Sequence, residues 1–388
     1  MILSIIVYTL SAFLLYRLGR FVSLNSCSSL YLHNSHRYGV IYWFFIYLIF
    51  GFIAGARYDV GVDHLAYLSD YNLSSFIDHN DNIEPLFWFF TKFLSGLGFH
   101  YFFYFAIIAI VQIGLIYASL KSNKQLIPYV GALVMLGPYF LNWMNGIRQT
   151  LVSCLFVYLV SVIVSQKKWF TYIVLILIAS KIHSSALFLL PFYFLAYKNF
   201  SINNKYVLIG ILILFTLLGS APFWISYLND FQGLFSVLGY GDKYGDRFES
   251  IVSGDEEMSS FSWGPLRISD YLLDIIILWF YSRMKEFYNT DKVFTSFFIL
   301  YFIGICGYNL FAGTNQLFLR LVLYFTIFKL PMTAYLLNYL RKNNLHMYFI
   351  SSAIAYVYVY VVVLKAGLLA PDNSLEKCSL YKFFFFET

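Results

Sequence analysis

The sequence predicts an all-α integral membrane protein that crosses the bilayer many times as a single polytopic domain of 388 residues. Three observations lead to this class: 60% of the residues are hydrophobic, only 12% are charged, and the mean hydropathy is +0.69. Soluble domains carry about 25% charged residues, so the composition excludes an ordinary soluble fold. We expect about 11–12 membrane-embedded helices, including a broken short hairpin.

The apolar runs define the expected spans, because a helix needs about 20 residues to cross a hydrocarbon core of about 30 Å. The first run starts at Met1 and lacks both a basic leading region and a small-residue cleavage site, so we expect it to remain as a membrane helix. The expected spans are residues 1–16, 38–55, 99–119, 126–142, 147–165, 206–227, 266–282, 293–312, 318–340 and 346–366.

The basic residues orient these spans. The net charge is +6, and most Lys and Arg residues fall in short loops, which are usually cytoplasmic. This pattern argues for a lipid bilayer and against nucleic acid as a partner, and it places both termini and a loop at residues 229–263 outside the cytoplasm. The basic loops carry Arg17, Arg20 and Arg37; Lys121 and Lys124; Lys167 and Lys168; Lys198 and Lys205; Arg283, Lys285 and Lys292; and Arg341 and Lys342.

The topology requires two short elements between Lys168 and Lys198 rather than one crossing. Residues 169–180 and 183–197 each reach only about 18–22 Å as helices, which is less than the hydrocarbon core. We therefore predict a broken hairpin that turns at residues 181–184. A single crossing here would invert the later half of the topology.

The sequence contains no motif for several common kinds of structural or catalytic site. Neither a disulfide framework nor a metal site is predicted, because the cysteines lack CxxC or Cys/His spacing. A Walker loop, a Rossmann glycine pattern, HExxH and GxSxG are all missing, which argues against nucleotide, dinucleotide, zinc-protease and hydrolase sites. The scattered cysteines are Cys27, Cys154, Cys306 and Cys378.

In this topology, five polar clusters fall outside the cytoplasm. Placing their charges at the membrane edge costs more free energy than simple anchoring of a helix would explain. Charged residues at a membrane edge are usually retained for a task, so this shared location is the strongest functional indication in the sequence. The clusters are residues 57–63, Glu84, residues 145–149, residues 181–184 and Arg320.

The first cluster contains Arg57 and Asp63 on either side of Gly61. Gly61 allows the chain to turn, so we expect both charges to share one space. The alternative is a snorkelling Arg beside solvated carboxylates. Farther on, Glu84 precedes Pro85 at the start of an amphipathic helix, and the simplest role for Glu84 is an N-terminal cap.

The cluster at residues 145–149 opens a span with Arg148 and Gln149. The planar guanidinium fork suits a phosphate or carboxylate, and a helix N-terminus is itself an anion site. The alternative is anchoring by Arg148 with Asn145 as an N-cap. Orientation rules favour Arg on the opposite side of the membrane, which argues against that alternative.

Later polar residues carry competing interpretations. His183 follows Lys181 at the hairpin turn, where it is either a satisfied polar contact or a general base. Arg320 opens another span with Tyr324 one turn later on the same face. Lys329 lies deeper in that span, and we assign it to snorkelling.

The long loop at residues 229–263 is either a functional lid or a disordered connector. Its mixture of aromatic and charged residues suits sugar binding. Those residues are Asp242, Lys243, Tyr244, Asp246, Arg247 and Phe248.

The order of these residues resembles the EpsG family of Wzy-type polysaccharide polymerases over residues of about 50–330. The resemblance implies a multi-pass enzyme of the bacterial cytoplasmic (inner) membrane that extends a lipid-linked O-antigen, capsule or exopolysaccharide on the periplasmic or exterior face. An acidic run at residues 255–257 departs from the pattern. The matching residues are Arg57-x3-Gly61-x-Asp63-x3-Tyr67, Glu84-Pro85, Asn145-x2-Arg148-Gln149, His183-Ser184, Lys243-Tyr244 and Arg320.

The resemblance also implies a reaction. A glycosyltransferase of this kind moves a growing glycan from undecaprenyl diphosphate to the non-reducing-end hydroxyl of a lipid-linked repeat unit, without a cofactor or nucleotide sugar. His183 or Asp63 would accept the hydroxyl proton. A chain-length regulator is a candidate partner. Substrate and diphosphate binding would fall to Arg57, Arg148, Arg320, Asn145, Gln149, Tyr67 and Glu84.

Two other classes share these requirements. A flippase or transporter of lipid-linked oligosaccharides also needs intramembrane charges, but it should show internal repeat symmetry, which the sequence lacks. A ligase that uses lipid-linked sugars, or a membrane acyltransferase, would need similar Arg and His residues.

Overall fold

The computed structural model describes residues 2–25, 34–78, 80, 82–197, 202–220, 263–312, 316–369 and 380–386. Within these ranges the chain forms sixteen α-helices and no β-strand, which confirms an all-α polytopic membrane protein. The predicted loop at residues 229–263, including Lys243, Tyr244 and the acidic run, lies outside the described residues apart from Trp263.

The helices follow the apolar runs of the sequence, with short helical turns between some of them. A π-helical segment, Leu159–Val164, continues the helix Ile147–Tyr158. The α-helices are α1 Ile2–Asn25, α2 Asn34–Gly55, α3 His64–Leu73, α4 Pro85–Gly96, α5 Tyr101–Ser119, α6 Ile127–Leu136, α7 Tyr139–Asn145, α8 Ile147–Tyr158, α9 Trp169–Ala179, α10 Phe192–Tyr197, α11 Lys205–Gly219, α12 Pro265–Phe287, α13 Lys292–Phe311, α14 Gln316–Thr326, α15 Lys329–Lys342 and α16 His346–Leu369.

Five described helices are long and apolar enough to cross a membrane, or six if one bent pair counts as a single span. Their length and composition agree with a multi-pass protein, while the orientation of each span stays a prediction. Shorter apolar helices cover residues 39–55, 169–179 and 205–219. The long helices are Ile2–Leu24, Tyr101–Ser119, Ile147–Val164, Lys292–Phe311 and Leu319–Lys342.

The apolar run at residues 126–142, expected as one span, forms a bent pair of helices. The helix ends at Leu136, and α7 starts after Pro138 at an angle of 63°. Pro138 has no N–H to continue the helix ladder. Gly137 is required by close packing, because a Cβ there would lie 2.3 Å from the hydroxyl of Tyr356, which donates to the carbonyl of Leu133 at 2.6 Å.

The predicted broken hairpin is confirmed. Helix α9 has 11 residues, and the chain turns before a 3-10 segment, Ser184–Leu189, and the short helix α10. The two arms are joined by Tyr172, whose hydroxyl donates to the carbonyl of Leu189 at 2.7 Å and whose ring packs against Tyr193. At 1.5 Å per residue, α9 reaches about 16 Å, so it is too short to cross the hydrocarbon core.

The chain divides into two compact units. The first comprises residues 1–158 and 333–388, and the second comprises residues 159–332. In the first unit, α1 packs against α6 and α2, α2 packs against α5, and α5 packs against α8. In the second unit, α11 packs against α12 and α13, and α13 packs against α14.

Lys329 does not snorkel, and that expectation is corrected. It is only 7% exposed, and its ammonium lies 2.7 Å from a carboxylate oxygen of Asp270 and 2.8 Å from one of Asp274. Tyr301 donates a hydrogen bond of 2.7 Å to Asp274. The two carboxylates lie one turn apart on α12, so they meet the ammonium together, and a buried ion pair replaces contact with the membrane surface.

Candidate functional site

The loop between α2 and α3 turns sharply at residues 56–63. Gly61 has a φ of +99°, a conformation that favours glycine, and the N–H of His64 donates back to the carbonyl of Gly61 at 3.2 Å. The Asp59 N–H donates to Nδ1 of His64 at 3.2 Å. The predicted turn at Gly61 is therefore present, and its hydrogen bonds define the path of the loop.

Arg57 lies inside this loop and is only 1% exposed. Its Nη1 donates to the carbonyl of Val60 at 3.1 Å and to the carbonyl of Met144 at 2.6 Å, while the guanidinium lies 4.8 Å from the ring centre of Phe105. Carbonyl acceptors and an aromatic face offset the desolvation of a buried cation. Arg57 thus connects the loop to the end of α7.

Asn145 makes a second connection between the same elements. Its Oδ1 accepts a hydrogen bond of 2.9 Å from the backbone N–H of Asp63, which directly precedes α3. The alternative view of Asn145 as a helix cap omitted this contact. Asp63 and Asn145, which are far apart in the sequence, are therefore adjacent in the structure.

Arg148 forms an ion pair with Glu84 through Nη1 and Oε2. Nη1 also lies 3.5 Å from the carbonyl of Asn82, and the guanidinium lies 6.0 Å from the ring centre of Phe87. The side chains are 23% exposed for Arg148 and 11% exposed for Glu84. The pair lies at a partly shielded surface, where charges interact more strongly than in open solvent.

The expected capping role of Glu84 needs correction. Glu84 occupies the position before α4, and Pro85 follows at the first helical position, as predicted. Its side chain makes no capping hydrogen bond and pairs instead with Arg148. Sequence separation hid this partner, since the two residues are 64 positions apart.

Tyr67 and Asp70 on α3 lie within the electrostatic reach of Arg148. Burial raises the pKa of Tyr67, and the positive charge of Arg148 opposes that rise. Burial likewise raises the pKa of Asp70, again against the effect of Arg148. A raised pKa keeps the Tyr67 hydroxyl protonated at neutral pH, so it is available as a hydrogen-bond donor.

The start of α8 is fixed by the residues around Gln149. The hydroxyl of Thr150 donates to the carbonyl of Gly146 at 2.9 Å and accepts a hydrogen bond of 3.0 Å from the buried side chain of Gln112 on α5. Gln149 is half-buried beside them, and its carbonyl accepts from Ser153. These contacts hold the N-terminal turn that carries Arg148.

His183 and Arg320 belong to the second unit. His183 is half-buried and directly precedes the 3-10 segment of the hairpin. The hairpin contacts α14 through a 2.6 Å hydrogen bond between the hydroxyls of Ser185 and Tyr324. Arg320 and Tyr324 lie one turn apart on α14, as expected, but Arg320 is exposed whereas Tyr324 is buried.

The comparison with known families identifies the protein's relatives. The family model described as EpsG family matches residues 40–375, which is most of the chain. The chain belongs to the EpsG family. This is a Wzy-type polymerase-like family, so the resemblance in the sequence is confirmed. No curated protein and no solved structure matches the chain.

Prediction from the sequence did not identify some residues of this EpsG-family site. Asp70 stands one turn after Tyr67 on α3, but that helix was not predicted, so the two residues were not recognised as sharing a face. Gln112 lies in an apolar run, where an isolated amide could have indicated a buried polar contact. Met144 contributes only a backbone carbonyl, which no sequence pattern reports.

Proposed function

We propose that this EpsG-family protein polymerises lipid-linked repeat units on the exoplasmic face of the bacterial cytoplasmic membrane. The family supports a polysaccharide polymerase-like role in general. The finer proposal is that a growing glycan leaves undecaprenyl diphosphate and joins the hydroxyl of an incoming lipid-linked unit. The observation that carries it is the partly shielded Arg148–Glu84 pair at the start of a candidate span, next to Tyr67.

Arg148 has the chemistry to hold the leaving diphosphate. The guanidinium carries five N–H donors in a planar fork, and the contacts to Glu84 and Asn82 both use Nη1. A further side-chain hydrogen bond joins Arg148 to Tyr67, and we propose that the remaining donors of the fork bind phosphate oxygens. Glu84 fixes the orientation of the fork before the substrate binds, and the protonated Tyr67 adds a neutral donor.

The reaction is a displacement at the anomeric carbon of the donor glycan. The bond from that carbon to the diphosphate oxygen breaks, a bond to the acceptor oxygen forms, and undecaprenyl diphosphate leaves with the bonding electrons. The acceptor hydroxyl loses its proton to a base. Arginine side chains stabilise the negative charge that develops on the diphosphate.

We assign the base to His183 and keep Asp63 as the rival. His183 lies half-buried in an extended conformation at the turn of the broken hairpin, where a polar side chain can act as a base. Asp63 follows the turn at Gly61, and its backbone is held by Asn145, which supports a role in shaping the binding loop. Arg320 is the further cation proposed for the substrate, and its exposure on α14 supports access to it.

Reconstitution tests the proposal. Purified protein in liposomes, supplied only with undecaprenyl-diphosphate-linked repeat units, should produce a ladder of longer glycans. A deletion strain should accumulate single lipid-linked units and still display single units on its surface. Loss of all surface display would favour a flippase, and transfer of glycan to a different acceptor would favour a ligase.

A further inference from the structure

Residues 380–386 dock onto the loop that carries Arg57. The N–H of Tyr58 donates to the carbonyl of Lys382 at 3.0 Å, and the N–H of Phe384 donates to the carbonyl of Ala56 at 3.0 Å. Arg57 and Phe383 stand opposite each other as an isolated antiparallel bridge. The segment therefore adds a short strand-like partner to the loop.

Side chains fix this segment on both flanks. Tyr381 is 3% exposed, and its hydroxyl donates to the carbonyl of Ile53 at 2.6 Å. Its backbone N–H donates to the hydroxyl of Ser4 at 2.8 Å. The ring of Phe384 packs against His100 with ring centres 5.1 Å apart. The segment is thus bound to α1, to α2 and to the residue before α5.

A continuous set of contacts leads from this segment to Arg148. The backbone pairing holds residues 56–58, and Arg57 donates to the carbonyl of Met144. Asn145, the next residue, accepts from the N–H of Asp63. Arg148 follows three residues after Asn145 and pairs with Glu84. Movement of residues 56–58 would therefore reach the guanidinium through short, directional contacts.

We propose that residues 380–386 act as a strap that positions the 56–63 loop for binding of the lipid-linked substrate. This inference rests on the proposed function for the identity of that substrate. Tyr381 and the backbone N–H of Phe384 are its positioning groups, and neither contacts the reacting atoms. Releasing the strap should weaken substrate binding more than it slows the chemical step, because the loop shapes the binding surface.

The decisive variant is Phe384→Pro, which removes the N–H that reaches Ala56. Phe383 precedes it in an extended bridge, a conformation that a following proline accepts. Phe384→Ala is the matched control for the lost ring, since it keeps the N–H. Phe386→Ala is a second control, because its ring is 70% exposed. We expect Phe384→Pro to raise KM about tenfold relative to Phe384→Ala with a change in kcat of less than about twofold.

Two readouts separate positioning from general destabilisation. In an Arg57→Lys background, Phe384→Pro should add less than about twofold to KM, because contacts that act through one another are not additive. If the changes in KM of the two single variants multiply in the double variant, the strap has an independent structural role and the proposal is overturned. Tyr381→Ala removes the ring and the hydroxyl, whereas Tyr381→Trp keeps an aromatic ring but not the hydroxyl contact to Ile53. Restored substrate binding in Tyr381→Trp would contradict the positioning role proposed for that hydroxyl contact.

Amide hydrogen exchange reports the strap without any enzymatic assay. The Tyr58 amide should be protected in the wild-type protein and should exchange faster in Phe384→Pro. Rapid exchange of Tyr58 in the wild type would overturn the docking itself, and faster exchange with an unchanged KM would overturn its role in binding. A protected Tyr58 in a wild-type protein that makes no polymer would instead refute the proposed function and leave the docking intact.

Discussion

The variant Arg148→Lys tests the site most directly, because it replaces the planar guanidinium of Arg148. Lysine keeps the charge but offers one ammonium in place of a planar fork. If that ammonium stays with Glu84, it no longer reaches a diphosphate at the same time. If it turns to the diphosphate, Glu84 is left with a side chain that is only 11% exposed and has lost its Arg148 partner.

The expected loss of kcat/KM follows from this geometry. Either arrangement removes one charge-assisted hydrogen bond, which contributes about 1.5–3 kcal/mol. At about 1.4 kcal/mol per factor of ten, kcat/KM should fall about 10- to 150-fold. Protein level in the membrane should stay normal, because the buried part of the Arg148 side chain is retained as a lysine stem.

The assay is polymer formation by reconstituted protein with purified lipid-linked repeat units. Lys92→Met is the matched control, because Lys92 forms an ion pair with Asp78 whose carboxylate is fully exposed. Lys92 lies on α4, the helix that begins at Pro85, and removal of this exposed pair should leave activity unchanged. Full activity in Arg148→Lys would refute the planar-fork argument and leave only a point-charge or anchoring role.

Three further predictions test the base, the ion pairs of Lys329 and the topology. His183→Ala should abolish turnover while substrate binding persists, and Asp63→Asn should weaken binding at least as much as turnover; near-normal polymerisation by His183→Ala would make Asp63 the leading base. Lys329→Met should destabilise the protein by about 3–5 kcal/mol, because the two carboxylates then face each other without the ammonium. Adding Asp274→Asn should restore at least half of the lost protein level. An absence of rescue would contradict the electrostatic explanation. A cysteine at Ser253 should react with an impermeant reagent in intact cells, and labelling only after permeabilisation would show that the assigned side is wrong.

The helical framework was largely predictable from the sequence because burial in lipid imposes a long apolar run on every span. The broken hairpin followed from the basic loops on both of its sides together with its length, since neither arm reaches across the membrane. The bend at residues 137–138 was missed although Gly137 and Pro138 are both helix-breaking residues. In that case the hydropathy of the run outweighed a local signal that should have ended the helix.

The pairings within the site were less predictable because each joins residues from separate elements. Glu84 has a local explanation as a cap, and only the folded chain reveals Arg148 beside it. Lys329 likewise has a local explanation as a snorkelling residue, yet Asp270 and Asp274 meet it from another helix. Local patterns specify what a side chain can do with its neighbours in sequence, whereas partners from distant elements depend on the packing of the helices.

The contacts of Arg57 have a consequence for how this family can diverge. Its acceptors are the main-chain oxygens of residues 60 and 144, and every amino acid provides such an oxygen. Substitution at either position therefore leaves the contact intact, and the residue types found there in related chains will not reveal it. An insertion or deletion between Arg57 and Gly61 would move both the guanidinium and its nearer acceptor. We expect evolution to preserve the spacing of this loop more strictly than the side chains at the positions that Arg57 contacts.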